Sequence, residues 1–247
     1  MASEAPTRPG LPARPGLLAS LLPPTVVTRE TTVDLRSARR FPSEEAAVAT
    51  AVDARRREFF TTRICARRAL AELGIADVGI PRGPAGSPIW PARVVGSLTH
   101  CVGFRAAAVA RQWDVLSLGI DAEPRAGMPS EVLELVADPT ERDHLAALHD
   151  RDPAIPWDRL LFSAKESVYK AFFPLAARWL DFADVAVIID PGGSFVARLR
   201  GPELIRAAGV ETFAGRWGAG VGIIATAVAV RDPDPGLATS GLCVPVR

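Results

Sequence analysis

The stretch "WDRLLFSAKESVYKAFF", Trp157 to Phe173, spaces its apolar residues as an amphipathic helix does. It also holds the only two lysines, Lys165 and Lys170, of a chain with 27 arginines. Under such an arginine bias, set beside abundant Ala, Gly and Pro, a lysine persists where a compact point charge on a flexible stem serves better than a planar fork. On a helix, Glu166 and Lys170 stack on one face, and Lys165 projects about 100° away from Glu166. The bland alternative is an exposed Glu–Lys helix pair worth about 0.3–0.5 kcal/mol. The scarcity of lysine argues against it.

Outward from that helix, "VLSLGIDAE" (115–123) reads as a strand, and "FRAAAVAR" (104–111) as another, joined by a turn near Gln112–Asp114. Asp138 caps a helix with Pro139 at its first position and Glu141 three residues on, a capping-box pattern. "VAVIID", "FVARLR" and "VGIIATAVAV" are strands of a later sheet. Towards the N-terminus, "TVVTRETTVDL" (25–35) alternates as a strand does. Ser43 is the expected N-cap of a helical region that runs to Leu73, broken near residue 54 and stopped by Gly74. Within it Arg63 and Arg67 share a face. "PRGPAGSP" (81–88) is a loop, and Thr99 and His100 are expected to follow a Gly-Ser turn and precede a strand. The order strand, helix, strands, helix, strands predicts an α+β protein, with two halves joined near 112–118.

Composition narrows the function. A formal net charge of +1 gives no basic surface for nucleic acid or for a membrane. Cys65, Cys101 and Cys243 are too few and too scattered for a disulfide framework or a zinc site, so a cytoplasmic setting is expected. "GLLASLL" (16–22) is too short for a signal peptide and ends at Pro23 and Pro24, and no run approaches the roughly 20 apolar residues of a spanning helix. Residues 1–15 and 232–247 read as Pro-rich and flexible tails.

Three motifs carry chemistry. In "GIDAEP" (119–124), Asp121 and Glu123 lie two apart on a strand, so both carboxylates share a face with Ala122 opposite. Two hard oxygen ligands on one face are a usual way to hold Mg²⁺ beside a phosphate, although a solvated turn is the commoner use of the pattern. In "KESVYK", Glu166 supplies a third carboxylate, flanked by two ammonium groups suited to a pyrophosphate. In "GSLTHC" (96–101), His100 could meet a phosphate or a base, or be an ordinary core histidine. Cys101 beside it faces the other way on a strand and carries little weight as a nucleophile. His144 and His149 are expected in solvent.

In this order the segments resemble the 4′-phosphopantetheinyl transferases of the monomeric surfactin- and enterobactin-synthetase-activating type, and among them the actinobacterial members. The resemblance rests on "GIDAEP", on "FSAKESVYKA" some 40 residues later, and on "EFFTTRICARRAL" and "GSLTHC". It covers roughly residues 45 to 230. It implies two pseudo-symmetric α+β halves, 16–115 and 116–231, with the active site in the cleft between them. It implies transfer of the phosphopantetheine arm of coenzyme A to a serine of acyl or peptidyl carrier proteins, with release of 3′,5′-ADP. Under it Asp121, Glu123 and Glu166 hold Mg²⁺, or Mn²⁺ in its place, and Glu166 takes the serine proton. Lys170 and Lys165 neutralise phosphates. Arg55, Arg63 and Arg82 grip coenzyme A, with Gly83 giving close backbone approach, and Thr99 and His100 hold its 3′-phosphate end. Ala122 stands where some relatives carry a third acid. A Mg²⁺-dependent nuclease or phosphohydrolase, and a non-catalytic carrier-binding module, are the alternatives. The first wants a basic surface that net charge +1 does not supply; the second has no need of three carboxylates and two lysines together.

Overall fold

The structure, a computed structural model, describes residues 16–36 and 41–231; the two expected tails lie outside the described residues. Two antiparallel sheets organise it. The smaller has the order β1 (Val27–Thr31), β3 (Phe104–Arg111), β2 (Val94–Cys101). The larger has the order β4 (Ser117–Pro124), β8 (Ile223–Val230), β7 (Thr212–Ala219), β6 (Ser194–Leu199), β5 (Val185–Asp190). The mixed α+β class is as the sequence predicts. β3 and β4, expected as neighbours across a short turn, belong to different sheets.

The alanines of β3 show why this strand can be central. Ala106, Ala108 and Ala110 face a core shared with Leu18, Leu21, Ile120 and Ala225, while Ala107 and Val109 face Ala66, Ala69 and Leu70 of helix α2 (Asp53–Glu72). Period-two alternation with small side chains lets both faces be buried at close distance. The "GLLASLL" segment thus packs into the core through Leu18, Leu21 and Leu22.

The sheets meet where β2 runs beside β4. Ile120 N–H donates to Ser97 Oγ at 3.1 Å and Ala122 N–H to Thr99 Oγ1 at 3.0 Å, so side-chain hydroxyls satisfy amides that would otherwise be orphaned. Ser97 and Thr99 are therefore inside β2 and not beyond a Gly-Ser turn as the sequence suggests. A Cβ at Gly96 would come 2.7 Å from the Trp90 ring, so this glycine makes room for an indole and does not mark a turn.

Helix α1 (Pro42–Ala46) starts two residues earlier than expected: Phe41 holds the cap position, Pro42 is helical, and Ser43 caps nothing. The break before α2 falls at residues 47–52, and Gly74 ends the helix region with φ +71°. Helices α3 (Ser130–Val136) and α4 (Pro139–Arg151) lead to α5 (Trp157–Ala176), and a short α6 (Pro202–Ala208) follows. The Asp138–Glu141 capping box forms at the start of α4, while His144 reaches the Ile189 carbonyl at 2.9 Å instead of standing in solvent. α5 lies across the larger sheet through Leu160, Leu161, Ala164, Val168 and Phe172. It comes closest at Gly119, where an added Cβ would be 1.8 Å from the Ser167 carbonyl oxygen. Ser117 Oγ donates to the Ala171 carbonyl at 2.6 Å, bolting helix to strand.

Candidate active site

Because α5 sits so close to β4, its polar face overhangs the carboxylate end of that strand. A cleft of about 520 Å³ opens between this face and the side formed by the 47–51 segment, α2, the 82–90 loop and β2. That is the size of a small-ligand or cofactor site. Arg55, Arg63, Arg82 and His100 line it from one side and Lys170 and Glu166 from the other, and Glu166 is the one carboxylate among the described lining residues.

Of the cleft cations, Arg63 is short of partners. The Arg63 guanidinium is buried and lies 3.4 Å over the Phe59 ring, with no partner for its Nε. Burial lowers its pKa to about 9; Glu44 opposes that, and Arg55, Arg67 and Arg82 add to it. Arg55 reaches His100 Nε2 and Glu58. Burial, with Arg55 and Lys170 next in order, pushes His100 down to about 4, so the ring is neutral and can accept from Arg55. Arg67, on the same helix face in sequence terms, instead pairs with Glu44 at 2.6 Å and lies outside the cleft.

At the other pole stand three acids. Asp121 is 5% exposed; its Oδ1 accepts from Lys170 Nζ at 2.7 Å and from Thr99 Oγ1 at 3.2 Å, while its buried Oδ2 has no partner. Glu123 is pushed up to about 7 by burial and by Asp121, against the pull of Arg159 and Lys170 and with a further push from Glu166. Burial also raises the pKa of Glu166, opposed by Lys170 and reinforced by Asp121. Asp121 makes both Glu123 and Glu166 harder to ionise, and one of its own oxygens is orphaned. Hard oxygen donors in that state fit a divalent cation, although no group of three His, Cys, Asp or Glu side chains among the described residues is already gathered around a common point. Cys101 is pushed up to about 12 by burial, Glu123 and Asp121, which removes it as a nucleophile.

A family model of the 4′-phosphopantetheinyl transferase N-terminal domain matches residues 43–110, and one of the 4′-phosphopantetheinyl transferase superfamily matches 117–221. The chain is 48% identical over 222 residues to the 4′-phosphopantetheinyl transferase Svp of Streptomyces mobaraensis, covering 88% of this chain and 90% of the relative. It belongs to the 4′-phosphopantetheinyl transferase family. It is also 44% identical to the transferase Npt of Nocardia iowensis (86% of this chain, 99% of the relative) and 41% identical to PptT of Mycobacterium tuberculosis (86% and 97%).

In this transferase three residues singled out in the sequence stand elsewhere than expected. Lys165 does not face the cleft. It is 2% exposed and donates to the Val136 carbonyl (2.7 Å), Glu141 Oε2 (2.8 Å) and the Phe182 carbonyl (2.9 Å). The 100° turn from Glu166 that seemed to aim it at a phosphate aims it at Glu141 of α4. Thr99 is 2% exposed and sits beneath Asp121, donating to its carboxylate, instead of holding a phosphate. Gly83 does not line the cleft: its N–H donates to the Ser87 carbonyl at 2.7 Å, and a Cβ there would meet Ile89 at 2.9 Å. Gly86, at φ +81°, is the glycine against which the Arg82 guanidinium lies, 3.1 Å from where a Cβ would be. Arg159 was not expected beside Glu123, nor Glu141 as a buried charge partner. Glu141 was visible as a capping-box residue, but not as the partner of Lys165. Arg159 lies two helical turns before Glu166 on the same face, which is the signal that could have found it.

Proposed function

We propose that the chain transfers the 4′-phosphopantetheine group of coenzyme A to a serine of an acyl or peptidyl carrier protein. What carries this reading is the charge layout: a cleft in which Arg55, Arg63, Arg82 and Lys170 meet one carboxylate, at the end where β4 delivers two more. A ligand with several phosphates suits the first pole and an acid–base step the second.

In the proposed reaction the serine oxygen bonds to the phosphorus bearing the pantetheine arm. The bond from that phosphorus to the bridging oxygen breaks, and 3′,5′-ADP leaves with the electron pair. The serine proton passes to Glu166, whose burial-raised pKa suits a base. Arg55, Arg63 and Arg82 hold phosphates, and neutral His100 offers a hydrogen bond. Lys170 exchanges Asp121 for the leaving phosphate; its flexible stem and single charge allow that move. Asp121, Glu123 and Glu166 would hold Mg²⁺, or Mn²⁺, which when bound supplies charge neutralisation for the pyrophosphate. Thr99 positions Asp121. Residues 16–115 and 116–231 are the two halves that close on coenzyme A, in a protein that acts as a monomer in the cytoplasm. No helix among the described residues is long and apolar enough to cross a membrane.

The test is mass spectrometry of purified acyl and peptidyl carriers incubated with the protein, coenzyme A and Mg²⁺. A gain of one phosphopantetheinyl group on the carrier, with 3′,5′-ADP released, is expected. Coenzyme A binding without carrier modification would instead indicate a carrier-binding module, and DNA cleavage a nuclease.

A further inference from the structure

The first turn of α5 makes a second set of contacts with the site, away from the cleft. Arg159 Nη1 lies 3.3 Å from Glu123 Oε2, while its Nε donates to the Ala126 carbonyl at 3.3 Å and its Nη2 to the Gly127 carbonyl at 3.2 Å. The preceding residue acts in the same direction: Asp158 Oδ2 accepts from the Met128 N–H at 2.7 Å. Two adjacent side chains on one helical turn therefore strap the 125–128 loop to α5 and tie that loop to a site carboxylate. The Arg159 side chain is 22% exposed and that of Glu123 18%, so this ion pair is partly shielded from water.

The position of the strap relative to the cleft matters. None of Glu123, Asp158, Arg159 and residues 125–128 is among the described residues lining the cleft, and Glu166 is the first residue of α5 that lines it. Phosphoryl-type displacement proceeds with attacking and leaving oxygens roughly in line. If coenzyme A fills the cleft, its nucleotide leaves on that side and the acceptor hydroxyl must arrive from the other. The other side is the one where Glu123 and the strapped loop stand.

We propose that Arg159 is a positioning residue for the acceptor: it locks the 125–128 loop to Glu123, so that the surface the carrier meets and the carboxylate cluster its serine must reach are held in one register. This rests on the transferase reading above. A lysine at 159 could keep one charge on Glu123 but could not also reach two carbonyls in fixed directions; the guanidinium fork does all three.

The experiment uses the full chain with Arg159→Gln, Arg159→Lys and Asp158→Asn. The first arm is hydrogen exchange of the 125–128 amides without any substrate. All three variants should exchange faster there than wild type, with the amides of α2 unchanged. The second arm is steady-state kinetics against a carrier. Arg159→Gln should raise the carrier KM by about fivefold or more while the coenzyme A KM stays within about twofold, a split that general loosening of the fold would not produce. Arg159→Lys should fall between, and Asp158→Asn should move in the same direction. Unchanged exchange in both Arg159→Gln and Asp158→Asn overturns the strap. Faster exchange with an unchanged carrier KM, or with both KM values rising together, overturns the acceptor role. A wild type that loads no carrier sinks the transferase reading instead, and the exchange arm still judges the strap.

Discussion

Lys165→Met tests where the first of the two lysines acts. In the folded protein its ammonium has three acceptors between 2.7 and 2.9 Å and is 2% exposed, against a Glu141 that is 4% exposed. Glu141 keeps the Asp138 and Val187 N–H groups at 3.0 and 2.9 Å, so the variant retains two neutral donors on a buried charge and loses the cation. Removing one partner of a buried pair costs about 3–5 kcal/mol. That is a large part of the roughly 5–15 kcal/mol that holds a domain folded. With a slope near 3 kcal/mol per molar urea, the unfolding midpoint should fall by about 1–1.7 M. Glu141→Gln in the same background should recover part of the loss, because it removes the unpaired buried charge while its one amide oxygen keeps one of the two backbone N–H donors; the coupling in the double-mutant cycle should be about 1–3 kcal/mol. Lys165→Arg should also destabilise, by about 1–3 kcal/mol, since a wider group enters a filled site. Assayed well below its midpoint, Lys165→Met should keep the coenzyme A KM. A wild-type midpoint combined with a collapsed kcat would refute this reasoning and return Lys165 to the phosphates.

Gly119→Ala should push α5 off β4, because its Cβ would start 1.8 Å from the Ser167 carbonyl oxygen; a shift of about 1 Å in the Lys170–Asp121 pair should lower kcat by about 100-fold, read by carrier-loading rates. Lys170→Arg should fold normally and keep the coenzyme A KM within a few-fold but lose about tenfold or more in kcat, since a guanidinium fork so near the acids would hold them bidentately; a wild-type kcat would count against the role given to Lys170. EDTA should abolish transfer and Mg²⁺ or Mn²⁺ restore it, with Asp121→Ala inactive yet folded by circular dichroism; full activity in EDTA would remove the metal. Metal-free protein should lose stability as pH rises from 4.5 towards 7, because the raised Glu123 pKa makes the folded state hold a proton that the unfolded chain has released; added Mg²⁺ should flatten that slope in pH-dependent melts, and a slope indifferent to metal would separate Glu123 from the cation.

Spacing within one element was enough to place Glu166 and Lys170 on one helix face, Asp121 and Glu123 on one strand face, and the capping box at Asp138, because each depends only on local backbone periods. The two motifs together also sufficed for the family. Contacts between distant segments were another matter. The turn from Glu166 to Lys165 is readable as an angle, but only packing shows that Glu141, 24 residues earlier, waits at the end of it. Thr99 looked like a loop residue because Gly96 and Ser97 precede it; the Trp90 ring over Gly96 and the amides of β4 beside Ser97 and Thr99 make the segment a strand. β3 and β4 are close in sequence yet lie in separate sheets, because two-faced burial of an alanine strand requires α2 on one side and the inter-sheet core on the other. Helical spacing puts Arg159 on the Glu166 face of α5 but does not put it against Glu123. Its role appears only when the chain returns over about 36 residues to set Glu123 against it, a pairing decided by how closely α5 can approach a strand whose third residue is glycine.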